Sequence, residues 1–244
     1  MRKALIVGGA NGIGLAIATQ LAKREDYEKI YIVDKVAVAE KFSNSKFESI
    51  LFDLTSEDFS NFDRFKDIDT LMITAGFGKL SLFKDVSEQH IISSFSVNAV
   101  APIRIIYHFV DKLMSDEDFR CGIMVSIAGF MSSPFFAVYG ATKAALKIFI
   151  ESINVELEKG GSSNRILNVS PGSIKGTCFN NGKTDLSVTT TTLADDIIAN
   201  LEAKEDLFIP QYEEIFKNVL ARYKADFRDE GRHSYDYKLN SNRL

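Results

Sequence analysis

The chain is poor in cysteine: its 244 residues include two, Cys121 and Cys178. Two thiols cannot staple a disulfide scaffold, so the pattern points to a reducing compartment and a core held by packing. Long apolar runs are also missing. No stretch reaches the roughly 18 consecutive apolar residues of a membrane helix. Met1-Arg2-Lys3 followed by Ala4–Val7 starts like a leader peptide but runs straight into Gly8-Gly9 without a cleavage-type site, and reads better as a first strand. A cytoplasmic location is expected. Basic residues are not in excess: 29 Lys and Arg stand against 33 Asp and Glu, for a net charge of −4. That argues against a nucleic-acid partner. The three histidines, His90, His108 and His233, have no metal-ligand spacing, so no metal is expected. There is no repeat, no low-complexity linker and no domain boundary. The expectation is a single domain over 1–244, with 225–244 as a charged C-terminal tail.

Apolar residues make up 45% of the chain and charged residues 25%, ordinary values for a globular protein that buries a large core. Short runs rich in Val, Ile and Leu alternate with longer helical patterns. The runs are Ala4–Val7, Ile30–Val33, Ser49–Phe52, Thr70–Thr74, Ile123–Ser126 and Ile166–Val169, with Leu207–Ile209 as an edge strand before Pro210. They are continuous rather than alternating, as in strands buried on both faces of a parallel sheet. Helices are expected over Gly12–Lys23, Ser87–Met114 and Val138–Glu158. This alternation predicts an α/β, Rossmann-type, doubly wound, mostly parallel sheet with helices on both faces. Ser187–Thr192, with its run of threonines, reads as a loop and a candidate lid.

The first strand enters Gly8-Gly9-Ala10-Asn11-Gly12-Ile13-Gly14. Glycines there let the backbone turn tightly and approach a pyrophosphate, while the following helix offers free N–H groups and the positive end of its dipole. A strand-to-helix turn without a ligand would need no such spacing. Asp34 ends the second strand twenty positions after Gly14. A carboxylate at that place can accept hydrogen bonds from both hydroxyls of an adenosine ribose and repels an added phosphate. NAD is therefore the favoured cofactor, with NADP kept open by the adjacent cation of Lys35.

Tyr139 and Lys143 stand four apart at the start of the long third helical pattern and so share one face. An ammonium beside a phenol favours the phenolate and lowers its pKa from near 10, which would let Tyr139 exchange a proton with a carbonyl or alcohol oxygen. At this point the chain resembles the short-chain dehydrogenase/reductase family. The resemblance runs from Gly8 to about Thr177 and rests on the glycine loop, on Tyr139-x-x-x-Lys143, and on Ser126 thirteen residues before the tyrosine. It implies that Tyr139 is the general acid/base, that Ser126 holds the reacting oxygen, and that Lys143 lowers the Tyr139 pKa and binds the nicotinamide ribose. It also implies that the backbone of Asn98 supports a water in a proton relay. Asp53-Leu54 resembles the pair that contacts adenine. Ala75-Gly76 is similar to the turn beside the cofactor, and Pro171-Gly172 with Ile174 to the turn by the nicotinamide. Thr177 is carried over as the threonine that binds the carboxamide.

Two departures stand out. The family's Asn-Asn-Ala-Gly is Ile73-Thr74-Ala75-Gly76 here, so Thr74 is expected to supply a replacement hydrogen bond. The glycine-rich ending common in the family is absent. Phe77, Phe130-Met131, Phe135-Phe136 and Phe179 are expected to line the substrate pocket, which suggests a lipophilic or ring-shaped small molecule. The reaction implied is reversible hydride transfer between NAD(H) and a carbonyl or secondary alcohol. The alternatives are an NAD(H)-sensing regulatory protein on the same fold, and a sugar-nucleotide epimerase, which shares Tyr-x-x-x-Lys but usually has a longer C-terminal part. Apolar residues over Asn98–Met114 and Val138–Glu158 are expected to serve both the sheet and a partner copy, giving a homodimer or homotetramer.

Overall fold

A computed structural model of the chain describes residues 1–174 and 186–240. Its seven strands are β1 (Arg2–Val7), β2 (Tyr27–Asp34), β3 (Phe47–Leu51), β4 (Thr70–Ile73), β5 (Arg120–Met124), β6 (Ile166–Val169) and β7 (Leu207–Phe208). They form one sheet in the order β3-β2-β1-β4-β5-β6-β7, and every pairing is parallel. The order reverses between β1 and β4. In open parallel sheets that switch point leaves a crevice at the carboxyl ends of the strands, where ligands bind.

The expected helices form, with altered bounds. Helix α1 spans Gly12–Lys23, and the catalytic-helix pattern becomes α5 over Ala137–Lys159. The segment expected as one helix over Ser87–Met114 is instead α2 (Glu88–Phe95), a wide π-type turn at Ser96–Val100, α3 (Ala101–His108) and α4 (Val110–Met114). Pro102 near the start of α3 and the widened turn account for the interruption. The threonine-rich segment is not a loop. Ser187 caps α6 (Val188–Glu202) and exchanges hydrogen bonds with Thr190 in a reciprocal box that turns these residues into a helix start. In and before the segment expected as a charged tail, α7 (Lys217–Ala225) and α8 (Phe227–Asn240) are helices that line the cleft at the carboxyl end of the sheet. Glu230 is buried there and receives Arg222 Nε at 2.6 Å, which ties the two helices together.

Alternate residues of each strand feed two cores. Leu5 and Val7 point to the side covered by α3, α4 and α5, with Phe62 and Phe65 from the turn Ser60–Phe65. Ala4 and Ile6 point to the side covered by α1 and α6. Each fully buried Leu or Ile contributes roughly 1.5–3 kcal/mol. An exposed ion pair such as Lys217–Glu213 contributes little, because water screens it. Two-sided burial therefore dominates the stability of this sheet and holds the crevice rigid. Cys121 is buried in β5, where burial pushes its thiol up and leaves it unreactive; Cys178 and Phe179 lie outside the described residues.

Candidate active site

The carboxyl ends of the strands open into a cleft of about 1220 Å³. At its floor the glycine loop turns between β1 and α1. Gly8 has φ +84° and Gly12 φ +53°, the left-handed region that favours glycine. A Cβ on Gly8 would stand 2.6 Å from Ala75 Cα, so this residue allows the loop to lie against the end of β4. A Cβ on Gly14 would collide with Gly8 O and Thr74 Oγ1. The expected replacement by Thr74 is present: its hydroxyl donates to Val7 O at 3.1 Å and Gly8 O at 3.0 Å. Asn11 at the N-cap of α1 makes no side-chain cap hydrogen bond, and the first turn holds no acid. The start of α1 therefore offers N–H groups and positive dipole toward the cleft, and this fits a pyrophosphate.

Asp34 ends β2 and accepts a hydrogen bond from Ala10 N at 3.0 Å, which fastens the glycine loop to the strand. Lys35, Asp53 and Leu54 line the same end of the cleft. Hydrogen bonds from Thr55 hold the Asp53 carboxyl below its usual range, with a smaller contribution from the charge of Lys35. The Lys35 ammonium is thus partly balanced by Asp53.

At the other end stand the residues expected to carry the chemistry. Ser126 lies two residues beyond β5, not within it, and caps the short turn Ile127–Gly129 by accepting from Ala128 N at 3.1 Å. Gly129 and Gly140 bring α5 against that turn. A Cβ on Gly129 would stand 2.8 Å from the backbone of Lys143, and one on Gly140 3.1 Å from Ala128 O. The close approach sets the Tyr139 hydroxyl beside Ser126. Lys143 is buried, donates from Nζ to Met124 O at 2.9 Å, and lies 5.7 Å from the centre of the Tyr139 ring.

The electrostatics differ from expectation. Burial pushes the Tyr139 phenol up to about 12, only partly offset by the Ser126 hydrogen bond. Burial also pushes Lys143 down to about 7. A desolvated ammonium is itself disfavoured, and this one is directed at a carbonyl, so the lowering of Tyr139 expected from the four-residue spacing does not arise.

Asn98 lies fully buried beneath the cleft in the Ser96–Val100 turn. Its Oδ1 accepts from Phe77 N at 2.9 Å and its Nδ2 donates to Phe77 O at 2.7 Å, so the side chain pins the segment after Gly76. Gly8, Asn11, Gly12, Ile13, Gly14, Ala75, Gly76, Pro171, Gly172 and Ile174 all line the cleft. Thr177 lies outside the described residues. Of the expected aromatics, Phe77, Met131 and Phe136 line the cleft. Phe130 does not; its ring sits under Lys147 Nζ at 5.1 Å. Phe135 is turned away, stacked on Tyr235 at 4.6 Å between ring centres. Sequence reasoning missed the C-terminal wall: Ile215, Phe216, Val219, Arg222, Glu230, His233, Ser234, Tyr237 and Lys238. The available signal was the spacing of Ile215, Val219 and Arg222, which is that of one helix face.

Residues 2–186 match the model of the short chain dehydrogenase family. The chain belongs to that family. Among curated relatives, this short-chain dehydrogenase is 27% identical over 184 residues to the uncharacterized oxidoreductase TDA5 of Saccharomyces cerevisiae, a match covering 72% of this chain and 56% of that protein. It is 25% identical over 184 residues to the uncharacterized oxidoreductase YbbO of Escherichia coli K12, covering 71% of this chain and 66% of the other. The chain thus spans little more than half the length of the yeast relative. Among solved structures, an alcohol dehydrogenase from the archaeon Thermococcus sibiricus complexed with 5-hydroxy-NADP superposes with a TM-score of 0.72 at 22% identity, over 86% of this chain and 95% of that one. A bulky-bulky ketone specific alcohol dehydrogenase from Comamonas testosteroni superposes with a TM-score of 0.74 at 22% identity, over 94% of each chain. These likenesses establish the fold, a Rossmann-type parallel sheet with helices on both faces.

Proposed function

We propose that this short-chain dehydrogenase reduces a carbonyl of a largely apolar small molecule, or oxidises the corresponding secondary alcohol, with NAD(H). The observation that carries the reading is the contact of the Tyr139 hydroxyl with Ser126 at one end of a cleft whose other end is an uncapped, acid-free helix start. The nicotinamide, when bound, supplies or accepts the hydride. Gly12, Ile13 and Gly14 at the start of α1 would hold the pyrophosphate, and Asp34 and Asp53 would hold the adenosine end. Asp34 favours NAD, and the partial balancing of Lys35 by Asp53 weakens the adjacent cation that speaks for NADP.

Ser126 Oγ orients the substrate oxygen by hydrogen bonding. Tyr139, held protonated by its burial, donates its proton to that oxygen as negative charge develops there, which suits the direction of reduction. Lys143 would hydrogen-bond the nicotinamide ribose and hold a proton near Tyr139, and the backbone of Asn98 would support a water beside it. Phe77, Leu80, Val97, Met131 and Phe136 supply the apolar body of the pocket. Exposed apolar residues on α3 and α5 support a homodimer: Tyr107 is 76% exposed, and Ile148 and Val155 are each 58% exposed on one face of α5.

Titrating NADH and NADPH in parallel, followed by turnover of a panel of ketones and secondary alcohols, tests the reading. Tyr139→Phe is expected to lose about 10²–10⁴-fold in kcat while its NADH affinity stays unchanged. Wild-type turnover in that variant would remove Tyr139 from the chemistry. Saturable NADH binding with no turnover across the panel would favour the sensing alternative instead.

A further inference from the structure

A four-residue turn stands immediately before the catalytic helix. Phe136 N donates to Ser133 O at 2.9 Å, with Pro134 second and Phe135 third. Phe135 has φ +65°. Proline second and a left-handed residue third is the pattern of a type II turn, whose third position normally belongs to glycine. A buried phenylalanine there is strained, and such strain persists only where the surroundings over-determine it.

The surroundings do so, mostly from one element. Ser81 N donates to Phe135 O at 2.9 Å from the near side. Helix α8 supplies the rest. Tyr235 stacks its ring on Phe135 at 4.6 Å, with 30° between the planes. Lys238 Nζ donates to Ser133 Oγ at 2.9 Å and to Pro134 O at 2.7 Å, the first two residues of the turn. A third donation, to Ser234 Oγ at 3.1 Å, ties the lysine to its own helix. An ammonium has three donors, and among the described residues these three acceptors meet it.

The turn leads directly to the reacting hydroxyl. Phe136 O accepts the hydrogen bond from Gly140 N at 2.7 Å that closes the first turn of α5, and the Phe136 ring lies 5.4 Å from that of Tyr139. Ser126, by contrast, is held by the end of β5 and by its own short turn. A displacement of the Ser133–Phe136 turn therefore moves Tyr139 and leaves Ser126 behind.

We propose that Lys238 and Tyr235 are positioning residues: α8 clamps the strained turn at Ser133–Phe136 and so sets the Tyr139 hydroxyl against Ser126. The inference rests on the reading of Tyr139 as general acid. It makes α8 a requirement of the chemical step and not of coenzyme binding, because the contacts of Lys238 and Tyr235 with Ser133, Pro134 and Phe135 lie at the Tyr139 end of the cleft.

The test uses the full chain with Lys238→Met, Lys238→Arg and Tyr235→Leu. One readout is independent of turnover: the 13Cζ resonance of Tyr139, assigned through Tyr139→Phe and recorded near neutral pH. In Lys238→Met and Tyr235→Leu that resonance is expected to shift from its wild-type position, because the hydroxyl leaves its place beside Ser126. With the ketone turned over fastest, kcat is expected to fall about tenfold to hundredfold with KM little changed, as for a misplaced reacting group. NADH affinity should stay as in wild type, and Lys238→Arg should recover most of both losses. An unmoved Tyr139 resonance in both disruptive variants overturns the clamp. So does a loss of NADH affinity in step with kcat and without rescue by arginine, which would mean general unfolding. If Tyr139→Phe keeps full turnover, the acid/base reading fails on its own, and the resonance still judges the clamp. If Tyr139→Phe is inactive while Lys238→Met matches wild type in both readouts, only the clamp fails.

Discussion

Lys143 is the residue whose state is set most strongly by its surroundings. Burial pushes it down to about 7, whereas in an unfolded chain it stays protonated to about 10.4. Between those values the unfolded chain binds more protons than the native one, so native stability rises with pH across that window. Below about 7 the native protein carries the full penalty of a buried ammonium. Lys143→Met is therefore expected to raise Tm by several degrees at pH 6 and by much less above pH 10, while abolishing turnover. Calorimetry at the two pH values checks this; an equal shift at both would mean that the gain comes from packing and not from the charge. The identities of Tyr139, Lys143 and Ser126 were legible because their spacing along the chain is itself the motif. Their electrostatics were not legible. The sense of a pKa shift depends on how much of the fold closes over a group, and burial pushes Tyr139 up where spacing alone predicts a lowering.

At the scale of elements, the seat of α5 on the turn Ile127–Gly129 decides whether the three side chains meet. Gly129 has no room for a methyl group, because the nearest atoms are the backbone of Lys143 and Ala144. Gly129→Ala should cost about 1–3 kcal/mol by overpacking. It should also lower kcat more than coenzyme affinity, since the helix must shift away from Ser126. Denaturant melts with parallel NADH titrations would check both, and an unchanged kcat would show that the seat has slack. The strands were legible from their apolar runs, and their ends were not. β5 begins at Arg120 and stops at Met124, because pairing with β4 and β6 sets where the ladder ends. The threonine run reads as a loop until the Ser187–Thr190 box is recognised as a helix start. Helices α7 and α8 escaped notice because they are strongly polar, with α8 burying little beyond Glu230 and Gly231, so they carry almost no apolar stripe.

For the whole molecule, the doubly wound arrangement was legible because the central strands are continuous apolar runs and the connections between runs are long enough for crossovers. What covers the cleft was not, since it depends on a chain reversal after β7, where Gln211 adopts φ +59°. The exposed apolar faces of α3 and α5 lead to an expected dimer mass by light scattering, with Ile148→Glu shifting it toward monomer. A monomeric wild type would refute that assembly.

The two borders of the sheet have a consequence for how the protein behaves when crowded or heated. An open sheet offers unpaired N–H and C=O groups at its outermost strands, an invitation to fibril-like growth. Here β7 is only two residues long and is followed by Pro210 two positions on. β3, at the opposite border, carries Glu48, which draws Lys29 at 2.8 Å and Arg64 at 3.3 Å into a charged fringe. Glu48→Val would leave β3 a run of Phe47, Val, Ser49, Ile50 and Leu51, with Leu51 already 66% exposed. Turbidity of that variant should rise at lower temperature than in wild type, because an uncharged border strand can recruit another chain before the fold is lost.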